Sequence, residues 1–278
     1  MKESGISWTR FTWNPWQGCT HVSDVSDGCK FCYADRFLHG WLKKDFGTLV
    51  RATDKTFNKP YSISKKIKPD SPLADRLVFP CSLSDFFHEQ ADVWRPDAWK
   101  VIRENPDLIF QILTKRGHRI EPNLPPDWGQ YGYKNVWLGI TCENQDAYNK
   151  RERYLHRLNK ENRNYRLFVS FEPLLSAIKI KTPIAPFDWA IIAGESGNET
   201  GDYKYRPCSL PIIESLTEQL QAKKVPVFIK QLGTYLAKTM NLKDPAGADI
   251  AEFPENLQIQ QFPKLKNLYY EQTKLFNL

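Results

Sequence analysis

Long apolar runs are missing from this 278-residue chain, and their absence excludes several classes of protein. No stretch reaches the roughly 18 consecutive apolar residues that a membrane-spanning helix needs. The first residues, MKESGISWTRF, lack the apolar region of a secretory signal. Internal repeats, low-complexity tracts and dividing linkers are lacking as well. We therefore expect a cytoplasmic protein that does not enter a membrane.

Cysteine is scarce too, with six residues in the chain. A disulfide framework fits poorly, because a chain of this length can bury its own core and shows no secretory signal. In a reducing cytosol, clustered cysteines more often bind a metal or take part in chemistry. The spacing of the cysteines is therefore informative.

Three of them, Cys19, Cys29 and Cys32, form the pattern C-x9-C-x2-C. Three thiolates would hold a four-iron cluster and leave one iron open to another ligand, whereas closed structural metal sites use four protein ligands. Other interpretations stay open: a zinc site completed by His21 or a carboxylate, a disulfide with a spare thiol, or unliganded thiols. The aromatic residues on both sides of Cys32 favour a cluster, because they keep water away from it.

The segments around the cysteines predict a strand before them and a helix after them. Residues 12–19 are expected to form the first strand. Residues 33–44 have the pattern of an amphipathic helix with Phe37, Leu38 and Trp41 on one side. The cysteines are therefore expected on a loop that joins this strand to this helix.

The charge of the chain favours acidic partners. Its formal net charge is +7 and its pI is about 9.0. Residues 51–68 are basic and poor in large apolar side chains, which indicates a surface loop suited to phosphate contacts. Residues 148–166 are also basic, and are expected to form a solvated helix that packs Tyr154, Leu155 and Leu158 inward. A nucleic acid or nucleotide partner is an expectation from charge alone.

Short continuous apolar runs recur between helix-length polar segments, which predicts parallel strands buried on both faces. Residues 92–106 and 210–224 fit the intervening helices. Together with the first strand this makes about seven βα units, and hence an α/β fold with a complete or partial (β/α) TIM-like barrel; an open doubly wound sheet is the alternative. The predicted later strands are Arg76–Ser82, Leu108–Thr114, Val136–Thr141, Leu167–Glu172, Trp189–Gly194 and Val225–Lys230.

Polar side chains follow nearly every predicted strand. Ligands gather at the carboxyl ends of strands in parallel α/β folds. A Ser or Asp at such a position can simply cap the next helix, but five charged residues at the same end predict one ligand-binding site. These five are Lys115, Glu143, Glu172, Glu195 and Lys230, and their polar neighbours include Ser84, Asp85, Arg116, Ser170 and Gln231.

These motifs together resemble the radical SAM superfamily, in which three cysteines after the first barrel strand hold a [4Fe–4S] cluster. The segment CKFCYA is similar to the superfamily's ending, although the usual spacing is C-x3-C-x2-C. More closely, the chain resembles a phage- and prophage-associated family of unknown function with a longer three-cysteine spacing. The matching stretches are residues 6–33, 82–89, 110–116, 136–145, 168–175, 191–197, 206–208 and 227–233, with a weaker match at 253–263.

The resemblance implies a barrel domain over residues 1–235, with residues 236–278 as a C-terminal extension packed on it. It also implies that S-adenosylmethionine binds the open iron and is cleaved, after one-electron reduction, to methionine and a 5′-deoxyadenosyl radical that attacks a substrate. A reductant protein would supply the electron, and a partner protein could supply the substrate. The competing hypothesis is a non-catalytic zinc- or iron–sulfur-binding phage protein that binds nucleic acid or a protein partner.

Roles for individual residues follow from the same resemblance. Ser84 and Asp85 occupy the place that contacts the methionine amino group, although the usual Gly-Gly-Glu is absent. Lys115 would meet the methionine carboxylate, and Glu143 or Ser170 the ribose hydroxyls. The remaining candidates are Glu172 and Glu195 facing substrate, Arg206 and Lys230 for an anionic substrate group, and Cys142 and Cys208 as radical quenchers or inert buried thiols. Cys81 is expected only to pack, and His88 and His118 have no assigned partner.

Overall fold

Seven parallel strands form the main sheet of the chain, in a computed structural model that describes residues 4–22 and 27–264. A separate pair of two-residue strands is antiparallel. The strands in chain order are β1 Phe11–Trp13, β2 Trp16–Gln17, β3 Val50–Arg51, β4 Leu77–Pro80, β5 Ile109–Thr114, β6 Val136–Thr141, β7 Arg166–Phe171, β8 Trp189–Ala193 and β9 Val227–Gln231.

The order of strands in the main sheet is β1-β4-β5-β6-β7-β8-β9, so each strand lies beside the next one along the chain. A doubly wound sheet reverses its direction of winding at a switch point, and this sheet does not. It curls into a half-barrel in which β1 and β9 form the two ends. The prediction of a partial β/α barrel is confirmed at this level, and the doubly wound alternative is not observed.

The two faces of the sheet pack against different parts of the chain. Successive side chains of a strand point to opposite faces. In β7, Leu167 and Val169 join the large core beneath the helices, whereas Phe168 joins a second, aromatic cluster. We call the face that carries this second cluster the concave face. Burial on both faces explains why the strands are continuously apolar in sequence.

An aromatic cluster closes the concave face near the amino ends of the strands. Trp189, at the start of β8, lies 6.3 Å from the Trp8 ring, 5.4 Å from that of Trp137 and 5.5 Å from that of Phe262, centroid to centroid. Residues from before β1 and after β9 thus fill the opening that a complete barrel would close with an eighth strand. The other end of the concave face stays available for polar groups.

Helices cover the convex side of the sheet less regularly than the sequence predicts. The helices at Arg95–Arg103, Gln145–Leu158 and Leu210–Ala222 agree with prediction, but only 3-10 turns connect β5 to β6, and residues 172–188 between β7 and β8 contain no helix. Helices of the described residues are α1 Tyr33–Asp35, α2 Asp54–Phe57, α3 Lys59–Ser64, α4 Arg95–Arg103, α5 Gln145–Leu158, α6 Leu210–Ala222 and α7 Thr234–Thr239; a π-helix spans Arg36–Trp41 and 3-10 helices span Asp27–Cys29, Leu73–Arg76, Glu89–Ala91, Gly117–Arg119, Glu121–Asn123, Pro126–Trp128, Ile250–Glu252 and Glu255–Leu257. None of these helices is long and apolar enough to cross a membrane.

Two local predictions are wrong. The first strand does not run to residue 19 but ends at Trp13, because Pro15 lacks the backbone amide that a strand ladder needs. Trp16 pairs with Arg51 instead, and Gln17 with Val50. The basic run 51–68 is not a simple loop, since it forms α2 and α3, which bury Phe57 and Ile63.

The segment after residue 235 continues the main core. Helix α7 crosses the predicted domain boundary, and Phe253 and Leu257 are buried in the same cluster as the strands. The backbone amide of Ile229 in β9 donates to the Ile259 carbonyl oxygen at 2.9 Å, so this segment covers one edge of the sheet. The part of the predicted extension from 265 to 278 lies outside the described residues.

We predict that Gly139→Ala destabilises the protein. A Cβ at this position would lie 2.4 Å from atoms of the buried Phe168 ring, so the aromatic cluster would have to shift, at a cost of about 1–3 kcal/mol. Urea unfolding measures this cost. Gly5→Ala is the control, because its Cβ would meet no atom within 4 Å; equal midpoints for the two variants would contradict the packing argument.

Candidate functional site

The cysteine loop, defined here by its described residues 18–22 and 27–32, lies across the carboxyl ends of the parallel strands. At its second half, the Gly28 amide donates to Oε1 of Glu143 at 3.2 Å, just beyond β6. The side-chain amide of Asn144 donates to Oδ2 of Asp27 at 3.1 Å, and Arg206 Nη1, from the segment after β8, donates to the Asp27 carbonyl oxygen at 2.9 Å. These contacts hold Cys29 and Cys32 over the middle of the sheet.

The first half of the loop is held by the segments after β4 and β5. Ser84 Oγ donates to the Gly18 carbonyl oxygen. Arg116 Nη2 donates to the Thr20 carbonyl oxygen at 3.0 Å, and its Nη1 lies 3.7 Å from the Cys19 sulfur. Gly18 has φ +97° and approaches the Thr48 carbonyl too closely for any Cβ. His88, without a predicted partner, contacts Thr20 Oγ1 through Nε2 at 2.9 Å.

Asp85 is the acceptor around which this anchor is built. Its carboxylate accepts from Thr114 Oγ1 at 2.7 Å, from the Lys115 amide at 3.2 Å and from Arg116 Nη1 at 3.3 Å. The Asp85 and Arg116 side chains are both nearly fully buried. A buried ion pair needs such additional hydrogen bonds to offset desolvation. Ser84 and Asp85, predicted to contact a methionine amino group, are therefore engaged in holding the cysteine loop.

A second buried ion pair lies under Cys29. Glu143 is 0% exposed, and its Oε2 accepts from Arg151 Nη1 at 2.8 Å while its Oε1 accepts from Gly28. Arg151 Nη1 also donates to the Thr141 carbonyl oxygen at 2.7 Å. Glu143 thus links the helix layer to the loop.

Lys115, after β5, places a positive charge near two of the cysteines. Burial by itself lowers the pKa of this ammonium, but electrostatic interaction with the side chains of Cys29, Glu143 and Cys32 outweighs burial and raises the pKa above its usual value. The Cβ that Gly28 lacks would lie 3.4 Å from Lys115 Cε. Lys115 therefore stays protonated directly beneath the loop.

Two of the three thiols are held in the neutral form. Burial, with a smaller effect of Asp85, raises the pKa of Cys19 to about 12, and Arg116 opposes this rise only in part. Burial likewise raises the pKa of Cys32, against the effect of Lys115. Because metals bind thiolates, a metal that bound these thiols would release protons, and its affinity would depend on pH.

No two of the six cysteines form a disulfide bond, and this removes the disulfide alternative. Within residues 4–22 and 27–264, no group of three or more His, Cys, Asp or Glu side chains is arranged to hold a metal ion. His21, the expected fourth zinc ligand, instead has its Nε2 3.9 Å from Asp35 Oδ2.

Polar side chains line the carboxyl half of the concave face. Their position follows from the alternation of side chains along a strand. Phe168, Ile109 and Phe228 belong to the concave cluster. Ser170, Gln111 and Lys230 each come two residues later and therefore point to the same face. Ser170 Oγ and Gln111 Oε1 are buried and have no hydrogen-bond partner among the described residues. Glu172 continues the face from Ser170 and pairs with Lys230. The arrangement suits a polar ligand between the strands.

The other predicted residues are placed elsewhere. Glu195 forms a two-point ion pair with Arg206, whose Nε lies 2.7 Å from Glu195 Oε2. Cys142 and Cys208 are buried in the convex core, away from the concave face, as the inert-thiol interpretation predicts. Cys81 is also buried there. His118 is exposed and lies near the Tyr154 ring.

Sequence reasoning missed two residues that hold this site together. Arg116 was noted only as a strand-end residue, and Arg151 was counted within a solvated basic helix. The spacing of Arg151 from Ala147 and Leu155, four residues each way, places it on the buried face of α5. A charged residue on an apolar helix face is a signal that a buried partner exists.

We predict that Cys19 in the metal-free protein reacts slowly with iodoacetamide. With a pKa of about 12, its thiolate fraction at pH 8 falls below that of an ordinary thiol by on the order of 10³-fold. Because the Cys19 pKa is higher in the folded state than in the unfolded state, the protonated thiol favours folding. This contribution is complete below the unfolded-state pKa and is lost as the pH rises through the folded-state pKa. Mass-spectrometric mapping against the urea-unfolded chain measures the rates, and equal rates in the two states would contradict the prediction.

Comparison with known proteins adds a family but no activity. A search of curated proteins found no match to the chain. Residues 3–261 match a family model described as protein of unknown function (DUF5131). This match covers the cysteine loop, the whole sheet and most of the segment after β9. The chain therefore belongs to the DUF5131 family.

Proposed function

We propose that this protein is a radical SAM enzyme that holds a [4Fe–4S] cluster through Cys19, Cys29 and Cys32. The observation that carries the proposal is the placement of three cysteines outside any disulfide on one loop, docked across the carboxyl ends of parallel strands and beside a polar concave face. Parallel α/β sheets gather ligands at this end. The barrel would then be of the radical SAM type, and the basic chain favours a nucleic acid or nucleotide substrate.

Three cysteines suit a cluster with one open iron better than a closed zinc site. A structural zinc site surrounds one atom with four protein ligands, and His21, a candidate for the fourth, has its Nε2 3.9 Å from Asp35 Oδ2 instead. A cubane binds each thiolate at a different iron and needs only three cysteines when the fourth iron is left for another ligand. Cys32 influences the pKa of Cys19 and Cys29 that of Cys32, so the three side chains are neighbours, as the ligands of one cluster would be.

Basic and apolar side chains around the thiols support the same assignment. A cluster with thiolate ligands is negatively charged, and buried negative charge needs compensation. Lys115 lies near Cys29 and Cys32, and Arg116 contacts Cys19. Ala34, Leu38, Phe46 and Leu83 pack with Cys19 and Cys32 and limit the access of water; water exclusion and nearby charge are the means by which proteins tune such centres.

Individual residues of the site take the following roles in the proposal. Lys115 meets the methionine carboxylate of S-adenosylmethionine. Ser170 offers its unpartnered hydroxyl to the ribose; Glu143, already accepting from Gly28 and Arg151, supports the loop instead. Glu172 and Lys230 face the substrate. Ser84 and Asp85 hold the loop in place, and Glu195 supports it through Arg206, which donates to the Asp27 carbonyl oxygen. Cys142 is omitted because its side chain packs in the convex core.

When bound, the cluster supplies the electron that cleaves S-adenosylmethionine to methionine and a 5′-deoxyadenosyl radical able to abstract hydrogen from a substrate. The chain's own contribution is to position the cofactor by Lys115 and Ser170 and to keep the concave face closed from below by the Trp189 cluster. Separate proteins would deliver the electron and, where needed, the substrate. Six cysteines without a disulfide are consistent with a reducing compartment such as the cytoplasm.

We predict that anaerobic reconstitution with iron and sulfide gives a brown protein with broad absorbance at about 400 nm. Replacement of Cys19, Cys29 and Cys32 by alanine should abolish iron uptake, because no other described cysteine lies on the loop. Cys208→Ala is the matched control, since this thiol is buried in the convex core, and it should take up iron like the natural chain. Reduction in the presence of S-adenosylmethionine should then yield 5′-deoxyadenosine, measured by liquid chromatography.

The same experiment separates the competing functions. Stoichiometric zinc without S-adenosylmethionine binding would support a non-catalytic metal-binding protein. A cluster that forms but never cleaves S-adenosylmethionine would leave a binding protein built on an enzyme fold. Full iron uptake by the triple cysteine variant would remove the basis of the proposal.

We predict opposite effects of Ser170→Ala on stability and on cofactor binding. A buried hydroxyl without a partner destabilises the fold, so its removal should stabilise the ligand-free protein by about 1 kcal/mol. The same change should weaken S-adenosylmethionine binding several-fold, since a hydrogen bond is lost. Calorimetric titration and thermal unfolding measure the two effects. Thr217→Ala is the control, because its hydroxyl already donates to the Ile213 carbonyl oxygen at 2.8 Å; a loss of stability in Ser170→Ala would count against an unsatisfied hydroxyl.

A further inference from the structure

The segment just after the third cysteine exposes more large apolar side chains than any other part of the described chain. Seven such side chains are prominently exposed, and four of them, Tyr33, Trp41, Leu42 and Val50, lie within residues 33–50. Tyr33 is 63% exposed and Trp41 is 66% exposed. Soluble proteins rarely leave large apolar groups clustered in water unless they bind something there.

Three aromatic rings of this segment, those of Tyr33, Phe37 and Trp41, form a row. Tyr33 and Phe37 lie 6.3 Å apart between centroids and stack with their planes at 28°, and Phe37 and Trp41 lie 5.9 Å apart. We call Tyr33, Phe37 and Trp41 the aromatic ladder. Their spacing of four residues places them on one side of the short α1 and the π-helix that continues it.

The opposite side of the same helix is the packed one. Ala34 and Leu38 are buried against Phe46 and Leu83. The prediction that Leu38 and Trp41 share an apolar face is therefore wrong, because the helix buries its 34/38 side and turns Tyr33 and Trp41 outward. Phe37 is half-buried and packs against the same cluster. Tyr33 and Trp41 contribute little to the core, so packing alone does not explain these two exposed rings.

Basic side chains accompany the ladder. Lys30, Lys43 and Lys44 are exposed, and the Arg36 guanidinium lies 5.7 Å from the centre of the Trp41 ring. The acidic groups nearby are already engaged: Asp45 accepts from the Gly47 and Thr48 amides at 3.1 and 2.9 Å. Asp35 lies near His21, and Asp27 is bound by Asn144. Positive charge and exposed rings therefore coincide on this surface.

This combination matches single-stranded nucleic acid better than a protein partner. Bases of a single strand stack on exposed aromatic rings while lysine and arginine follow the phosphates. Protein interfaces also use aromatic residues but are depleted in lysine. A duplex keeps its bases stacked internally, so it cannot offer them to a row of rings.

We infer that the aromatic ladder, with Lys30, Arg36, Lys43 and Lys44, is a binding surface for single-stranded nucleic acid beside the cysteine loop. As a statement about the substrate, this inference rests on the proposed function. As a statement about binding it does not, because none of these side chains is a cluster ligand. The surface directly follows Cys32 in the chain, so a bound strand would lie next to the mouth of the half-barrel.

Fluorescence anisotropy with labelled oligouridylate and oligothymidylate of about 12 nucleotides tests the inference on the full chain, metal-free and reconstituted. The natural chain should bind both single strands, or one of them if the 2′-hydroxyl is read, and more weakly as salt is added. Tyr33→Ala with Trp41→Ala should weaken binding by about 10- to 100-fold. Lys43→Glu with Lys44→Glu should weaken it as well and reduce the dependence on salt.

Tyr131→Ala is the matched control, since this tyrosine is 47% exposed but lies after β5, far along the chain from the ladder. It should bind like the natural chain. Three outcomes would overturn the inference: no binding of single strands by the natural chain, equal binding of a duplex of the same length, or unchanged affinity in both the aromatic and the lysine double variant. Self-association that is lost in the Trp41 variant would instead identify the surface as a contact between two copies.

The design keeps this inference separate from the proposed function. If the chain binds single strands but forms no cluster on reconstitution, the proposed enzyme function is contradicted and the binding surface is supported. If the reconstituted chain cleaves S-adenosylmethionine but does not bind single strands, the binding surface is contradicted and the proposed enzyme function is supported.

Discussion

Glu143 accepts hydrogen bonds from two directions, from Arg151 in the helix layer and from the Gly28 amide on the cysteine loop. Its burial makes both contacts obligatory, because a buried carboxylate without partners is strongly destabilising. This side chain, together with the contacts of Asn144 and Arg206 to Asp27, holds Cys29 above the sheet. Asp85 and Arg116 do the same for Cys19 at the other end of the loop. Two buried ion pairs thus set where the thiols lie, and every functional statement about them depends on that placement.

The half-barrel divides its concave face into two regions with different physical properties. Aromatic rings around Trp189 fill the amino half and need no ligand to be stable. The carboxyl half carries Gln111, Ser170, Glu172 and Lys230, of which the first two bury unsatisfied oxygens. Stability is concentrated in the first region, and the capacity to bind polar ligands in the second. An open barrel achieves this because segments from both ends of the described chain cover the aromatic region.

Some predictions succeeded because they depend on local pattern. The buried strands after residue 76 were found nearly to the residue, since continuous apolar runs bounded by polar segments have few other solutions. Others failed where a long-range contact overrides the pattern. Trp16 was assigned to the first strand, but Pro15 ends the ladder and Arg51 offers a new partner. Trp41 was assigned to a buried face, yet Phe46 and Leu83 select the other side of the helix.

The sequence by itself determined that parallel strands alternate with covering segments, and that charged residues and three cysteines share the carboxyl end. These properties depend on the spacing of apolar residues and on the order of the segments, and both can be read from the sequence. Only the tertiary structure decided which charged groups are committed to each other, because Glu143 meets Arg151 and Gly28 across separations that no local pattern encodes. It also decided that Ser170 is left unsatisfied while Ser84 and Asp85 are not. The physical reason is that a hydrogen bond is specific to distance and direction between atoms far apart in sequence, whereas burial of apolar surface is not.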